Sequence, residues 1–198
     1  AKEAQLQMIK FNAQELANTA WAFATLGHFD EKMFSALAKE AQLQMSKFNA
    51  QNIANTAWAF AKLGQLDEKL FSALAREAQL QMSKFNAQEL ANTAWAFAKL
   101  GQLDEKLFSA LAKEAQLQMS KFNAQGIANT AWAFATLGRL DEKLFAALAR
   151  EAQLQMSKFN AQGLASTALA FAKMGQLDEK LFSALAKEAQ LQMSKFNA

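Results

Sequence analysis

The sequence predicts an all-α fold, an α-solenoid superhelix of five 37-residue helix-turn-helix repeats with partial repeats at both ends. Three observations carry this. Phe11, Phe48, Phe85, Phe122, Phe159 and Phe196 recur every 37 residues, the mark of a repeat architecture. Within each interval the start and stop signals of a helix come twice. The chain holds no proline and its turns are short, as in "GHFD" and "GQLD", which leaves no room for strands or a second domain.

A single array therefore covers residues 1–198, with repeats at 11–47, 48–84, 85–121, 122–158 and 159–195 and partial repeats at 1–10 and 196–198. Copies two and three differ only at Asn52 and Glu89, Ile53 and Leu90, and Arg76 and Lys113, the near identity of recent duplication or of consensus design. Ala1 falls in register with Ala38 inside the second helix of a repeat, and Ala198 with Ala13 at the start of the first. Neither end reads as a polar capping repeat, so the chain is expected to be a segment of a longer array.

The first helix of a repeat, helix A, starts at Ala13. Asn12 is its N-cap, Glu15 stands three residues later at capping-box spacing, and Phe11 with Leu16 forms a hydrophobic staple. It runs to Leu26 and stops at Gly27, which accepts a left-handed backbone. Helix B is capped by Asp30, stapled by Phe29 and Phe34, and continues to about Lys47. On helix A, Leu16, Ala20, Phe23 and Leu26 form one apolar stripe and Ala13, Ala17, Trp21 and Ala24 its neighbour. Helix B carries Phe34, Leu37, Ala38, Ala41 and Met45 on one side and Met33, Ala36 and Leu43 on another, so it is expected to touch helices on both. No hairpin of this kind buries its apolar faces alone; each depends on its neighbours.

Composition narrows the function. A chain that is 52% hydrophobic and 20% charged has apolar material for an ordered, soluble fold. No apolar run approaches the roughly 20 residues a membrane crossing takes, and Ala1 to Met8 lack the features of a secretory signal, so no membrane partner is expected. Zero cysteines exclude disulfides and thiol chemistry, and one histidine, His28, leaves little for imidazole chemistry. The net charge of +3 is too small to name a nucleic-acid partner by itself.

Catalysis is not expected. Asp30 with Glu31 looks like a carboxylate pair, but an N-cap and a first-turn acid are what a helix dipole favours, and the pair recurs in every repeat. Five glycines end helices and the other two lie inside helix A, so no phosphate-cradling loop exists. His28 aligns with Gln65, Gln102, Arg139 and Gln176, which disfavours a metal. The expectation is a non-enzyme with no cofactor, no metal and no small-molecule substrate. Trp21, Trp58, Trp95 and Trp132 are read as core rather than as base-stacking platforms, because alanines flank them and Leu169 replaces them in the fifth copy.

The polar side of helix A is more informative. Positions 15, 18, 22 and 25 share a face. The first runs Glu15, Asn52, Glu89, Gly126, Gly163; the second runs Asn18, Asn55, Asn92, Asn129, Ser166. Glycine inside a helix costs about 0.5 to 1 kcal/mol relative to alanine, so stability did not select Gly126 and Gly163. The asparagines are either a ladder between repeats or ligand contacts. A second series, Lys10, Lys47, Lys84, Lys121, Lys158 and Lys195, precedes each repeat phenylalanine. With Lys62, Lys99 and Lys173 at the ends of A helices it offers phosphate-binding candidates, or simply complements helix dipoles.

The units "FNAQELANTAWAFATLGHFDEKMFSALAKEAQLQMSK" and "FNAQNIANTAWAFAKLGQLDEKLFSALAREAQLQMSK" resemble the octotricopeptide and heptatricopeptide repeats of organellar RNA-binding proteins. The "LANTAWAFAKLG" core carries the likeness over essentially the whole chain, and the 37-residue period is similar to the heptatricopeptide class. The resemblance implies that helix A lines a concave surface and meets unstacked bases of single-stranded RNA at about one nucleotide per repeat. It implies readout by the Glu15 series assisted by the Asn18 series, and a chloroplast or mitochondrial home. The proline-rich signature of many octotricopeptide repeats is missing, as is any nuclease-like domain. A protein-interaction scaffold is the alternative, and a consensus-engineered scaffold without a natural ligand a third reading. The RNA reading requires position 15 and its counterparts to line one open trough.

Overall fold

The computed structural model describes residue 8 and residues 10–196, with side chains through Ser194. Most of both partial repeats, and the Lys195 side chain, therefore lie outside the described residues. The remainder is ten α-helices in five hairpins. The A helices are α1 (Ala13–Thr25), α3 (Ala50–Lys62), α5 (Ala87–Lys99), α7 (Ala124–Thr136) and α9 (Ala161–Lys173). The B helices are α2 (Glu31–Leu43), α4 (Glu68–Gln81), α6 (Glu105–Leu117), α8 (Glu142–Leu154) and α10 (Glu179–Phe196). No strand occurs among the described residues.

The caps are where the residue types require them. Asn12 Oδ1 accepts from the Glu15 N–H at 2.9 Å while the Glu15 carboxylate accepts from the Asn12 N–H at 2.8 Å, a complete capping box that Asn86 and Glu89 repeat. Gly27, Gly64, Gly101, Gly138 and Gly175 end the A helices at φ between 64° and 69°. Glycine pays no Cβ penalty in that left-handed region. Each B helix starts on an aspartate, as Asp67 accepting from the Leu70 N–H at 2.8 Å.

The ends of the B helices differ from the expected continuous run to Lys47. After α2 the chain tightens into a 3₁₀ turn at Met45–Lys47, and the same happens at Met82–Lys84, Met119–Lys121 and Met156–Lys158. The reason is the phenylalanine that follows. Phe48 takes an extended backbone (φ −74°, ψ 135°) and is drawn into the core, so the helix cannot continue through it. α10, with no further A helix described after it, stays helical through Phe196.

Repeats are joined by matched contacts. Phe34 of one B helix meets Phe60 of the next A helix edge-on at 5.0 Å, and Phe71–Phe97, Phe108–Phe134 and Phe145–Phe171 copy the geometry. Such pairs add about 0.5 to 1.5 kcal/mol beyond the area they bury. Gln79 Nε2 donates to Asp104 of the following repeat at 3.3 Å. Gln81 Nε2 donates at 2.7 Å to the Phe48 carbonyl, tying the end of a repeat to its beginning. Consecutive A helices lie in far more intimate contact than consecutive B helices. Their alanines allow it: Ala54, Ala57, Ala59 and Ala61 of α3 are all buried. A stack that is tighter on one side curves, and the A helices take the inside.

Helix B does not bury both expected sides. Leu43, Leu80, Leu117 and Leu154 are 71% to 80% exposed and stand in register on the outside of the array. Ala36 is buried and Met33 packs on the core as expected, but the stripe one turn beyond meets no neighbour. Leu26, assigned to the apolar stripe of helix A, is also exposed at its helix C-cap.

Candidate nucleic-acid interface

The inside of the curve is lined by one stripe of each A helix, spaced four, three and four residues apart. In the third repeat it is Gln88, Asn92, Trp95 and Lys99, with Gln88 and Lys99 exposed and Asn92 and Trp95 half-buried. Compared with the expected face of positions 15, 18, 22 and 25, this stripe keeps 18 and 25 and is rotated by one residue at the other two, to 14 and 21. Ala59, Ala96 and Ala133, the counterparts of Ala22, are buried, as packing between neighbouring A helices demands.

The rotation separates the two predicted readout series. The asparagines keep their place: Asn92 and Asn129 line a cavity of about 580 Å³ together with Trp21, Thr25, Trp58, Gln88 and Lys121. Residues of the first and fourth repeats share this hollow because the array curves. A second hollow of about 370 Å³ holds Asn129, Ser166, Gln125, Gln162 and Lys158. Asn18 and Asn55 occupy the same register on α1 and α3, exposed and half-buried respectively.

The Glu15 series is set apart from the asparagines. Its position is the third residue of the helix, where it takes part in the cap, and it points along the seam toward the preceding A helix. Asn52 is 5% exposed and Gly126 is buried. A Cβ on Gly126 would meet Asn123 Oδ1 and Phe122 Cδ1 at 3.3 Å and the Cβ of Ala91, on the preceding A helix, at 3.6 Å. Gly163 sits in the same way against Asn160, Phe159 and Ala128. Glu15 and Glu89 keep some exposure but their carboxylates are held by the capping boxes. Variation at this position changes a helix cap and a packing seam, and Gly126 and Gly163 also line the two hollows.

The tryptophans combine both readings, and Trp58, Trp95 and Trp132 pack against the core. Trp21 is 46% exposed, Trp58, Trp95 and Trp132 are half-buried, and Trp21 and Trp58 line the larger hollow. Successive ring centroids stand 6.3, 6.5 and 6.5 Å apart, tilted by 33° to 35°, forming a continuous aromatic ladder. Leu169, which continues it in the fifth copy, is 63% exposed and so is not a core replacement. The signal for this stripe was in the sequence: Gln14, Gln51, Gln88, Gln125 and Gln162 are identical, exposed, and one turn before the asparagines.

The two lysine series occupy opposite rims. Lys47, Lys84, Lys121 and Lys158 are exposed beside the N-termini of A helices, where the dipole adds positive potential, and Lys121 and Lys158 line the two hollows. Lys62, Lys99 and Lys173 are exposed at the C-terminal ends. A 13-residue helix spans roughly 20 Å, so the two rims do not form one lane. Lys173 Nζ is engaged with the Thr136 carbonyl at 3.4 Å. Arg139, at the turn position aligned with His28, pairs with Glu105 at 2.6 Å, an exposed ion pair of little energetic weight. No helix among the described residues is long and apolar enough to cross a membrane.

No curated protein matches the chain. The family description "RNA-editing substrate-binding complex 6 protein" matches residues 2–198, nearly the whole array. The chain, a curved all-helical repeat array with an aromatic and amide-lined trough, belongs to the RNA-editing substrate-binding complex 6 protein family.

Proposed function

We propose that the trough binds single-stranded RNA at about one nucleotide per repeat, with bases toward the tryptophan ladder and phosphates toward the lysines beside the A-helix N-termini. The ladder is the observation that carries this reading. Its pitch of 6.3 to 6.5 Å is nearly twice the roughly 3.4 Å rise of a stacked strand, so a strand in register with the repeats is stretched and its bases are free to meet side chains. Gln88 and Asn92 each offer an amide that both donates and accepts toward a base edge. Lys121 and Lys158, with helix dipoles behind them, supply the attraction for phosphate. The family name points to RNA-editing substrates, and the one-base-per-repeat mode of octotricopeptide and heptatricopeptide repeats is the mode the trough dimensions suit.

In this reading the array is a non-catalytic binder, and the Glu15 series acts indirectly. Glu15 and Glu89 place a carboxylate at the rim of the first and third repeats, while Asn52, Gly126 and Gly163 leave those helix ends positive. The test is retention of a randomised single-stranded RNA pool at low and physiological salt. Strong binding that weakens steeply with salt supports the reading; no retention at low salt refutes it. A second reading is favoured by the leucines at 43, 80, 117 and 154: their exposed outer ladder suits a protein partner, so the array can bridge RNA and protein.

A further inference from the structure

Three of the four positions of the trough stripe do not vary through the first four repeats; the fourth runs Thr25, Lys62, Lys99, Thr136, and the variable cap position reaches the hollows at Gly126 and Gly163, which carry no side chain. Gln88, Asn92 and Trp95 of the third repeat return as Gln125, Asn129 and Trp132 in the fourth, and the first two repeats carry the same three residue types at the same positions. The ring-to-ring spacing is also the same to within 0.2 Å along the ladder, from 6.3 to 6.5 Å. Four consecutive sites therefore present one arrangement of amide donors, amide acceptors and aromatic surface at one pitch. Identical sites cannot prefer different bases.

We infer that the trough selects a homopolymeric tract, the same base at four successive repeats, rather than a mixed sequence; this rests on the RNA reading above. An amide pair that fits a base edge discriminates against the wrong base, and four such sites multiply a small preference into a large one. Only a run of a single base satisfies all four together. The fifth repeat departs from the rule. Ser166 and Leu169 replace the asparagine and the tryptophan, leaving a shorter polar group and no aromatic face, so selection ends there.

The experiment compares oligonucleotides of about ten nucleotides, longer than five repeats span at about one nucleotide each: oligo(A), oligo(U), oligo(C) and a mixed sequence, measured by fluorescence anisotropy at low salt. One homopolymer is expected to bind at least tenfold more tightly than the mixed strand. A mixed strand equal to the tightest homopolymer overturns the inference while leaving RNA binding intact. Absence of binding by all four overturns the RNA reading itself. A second arm replaces the three inner asparagines by serine, the residue the fifth copy already accommodates: Asn55→Ser, Asn92→Ser and Asn129→Ser. The homopolymer preference is expected to flatten with binding retained; a preference that stays unchanged removes the asparagines from base selection and overturns their assignment.

Discussion

The indole rings of Trp58 and Trp95 stand 6.5 Å apart at 35°, each half-buried. A tryptophan packed against the core that Phe60 and Phe97 fill, yet kept partly solvated, is more than filling. It is a surface held in register by the stacking of α3 on α5.

Trp95→Leu is the substitution that separates binding from folding. The fifth copy carries Leu169 at this position, so the fold accommodates it. RNA affinity is expected to fall by about 1 to 3 kcal/mol, the worth of one stacked base, with the helical circular dichroism unchanged. A titration of labelled RNA against both proteins measures it.

Lys121→Gln and Lys158→Gln remove two cations that line the trough hollows. The slope of log K against log salt for single-stranded RNA is expected to become shallower by about 0.7 for each lysine. Lys99→Gln, on the opposite rim, is expected to leave the slope unchanged. Equal effects from both rims would place the strand elsewhere.

Much of this architecture was legible in the sequence. The period, the Asn12 and Asp30 caps, the Gly27 stop and the Phe29–Phe34 staple all follow from local rules, and the rings of that staple lie 5.5 Å apart. Local rules did not reveal which side of each helix its neighbours cover. A helical wheel places Glu15 and Asn18 on one face, yet the seam between A helices falls between them and hides Asn52 while leaving Asn55 accessible. The same uncertainty put Leu43 inside. Curvature, which decides both, is a property of the stack and not of one repeat.

Thr56, Thr93, Thr130 and Thr167 are buried with hydroxyls that find no hydrogen-bond partner. An unpaired buried polar group costs about 1 to 3 kcal/mol, so the near-isosteric Thr93→Val is expected to stabilise the array by about 1 kcal/mol. A rise in the urea midpoint checks this. A fall would show that the hydroxyl bonds to a backbone carbonyl.

Gly126 and Gly138 make opposite predictions. Glu15, Asn52 and Glu89 occupy the Gly126 position in other repeats with the capping contact kept at 2.9 Å, so the cap accommodates a side chain. Gly126→Ala is expected to stabilise by about 0.5 to 1 kcal/mol through helix propensity. Gly138 lies at φ 67°, and Gly138→Ala is expected to destabilise by about 1 to 2 kcal/mol despite the open space around it. Thermal unfolding of the two variants distinguishes them.

All four tryptophans of the chain belong to the ladder, so intrinsic tryptophan emission reports on the ladder's surroundings. Titration with single-stranded RNA at low salt is expected to change that emission in a saturable way, with the same midpoint as RNA retention and with recovery on adding salt. Retention of RNA with tryptophan emission unchanged at saturation would contradict the placement of the strand along the ladder.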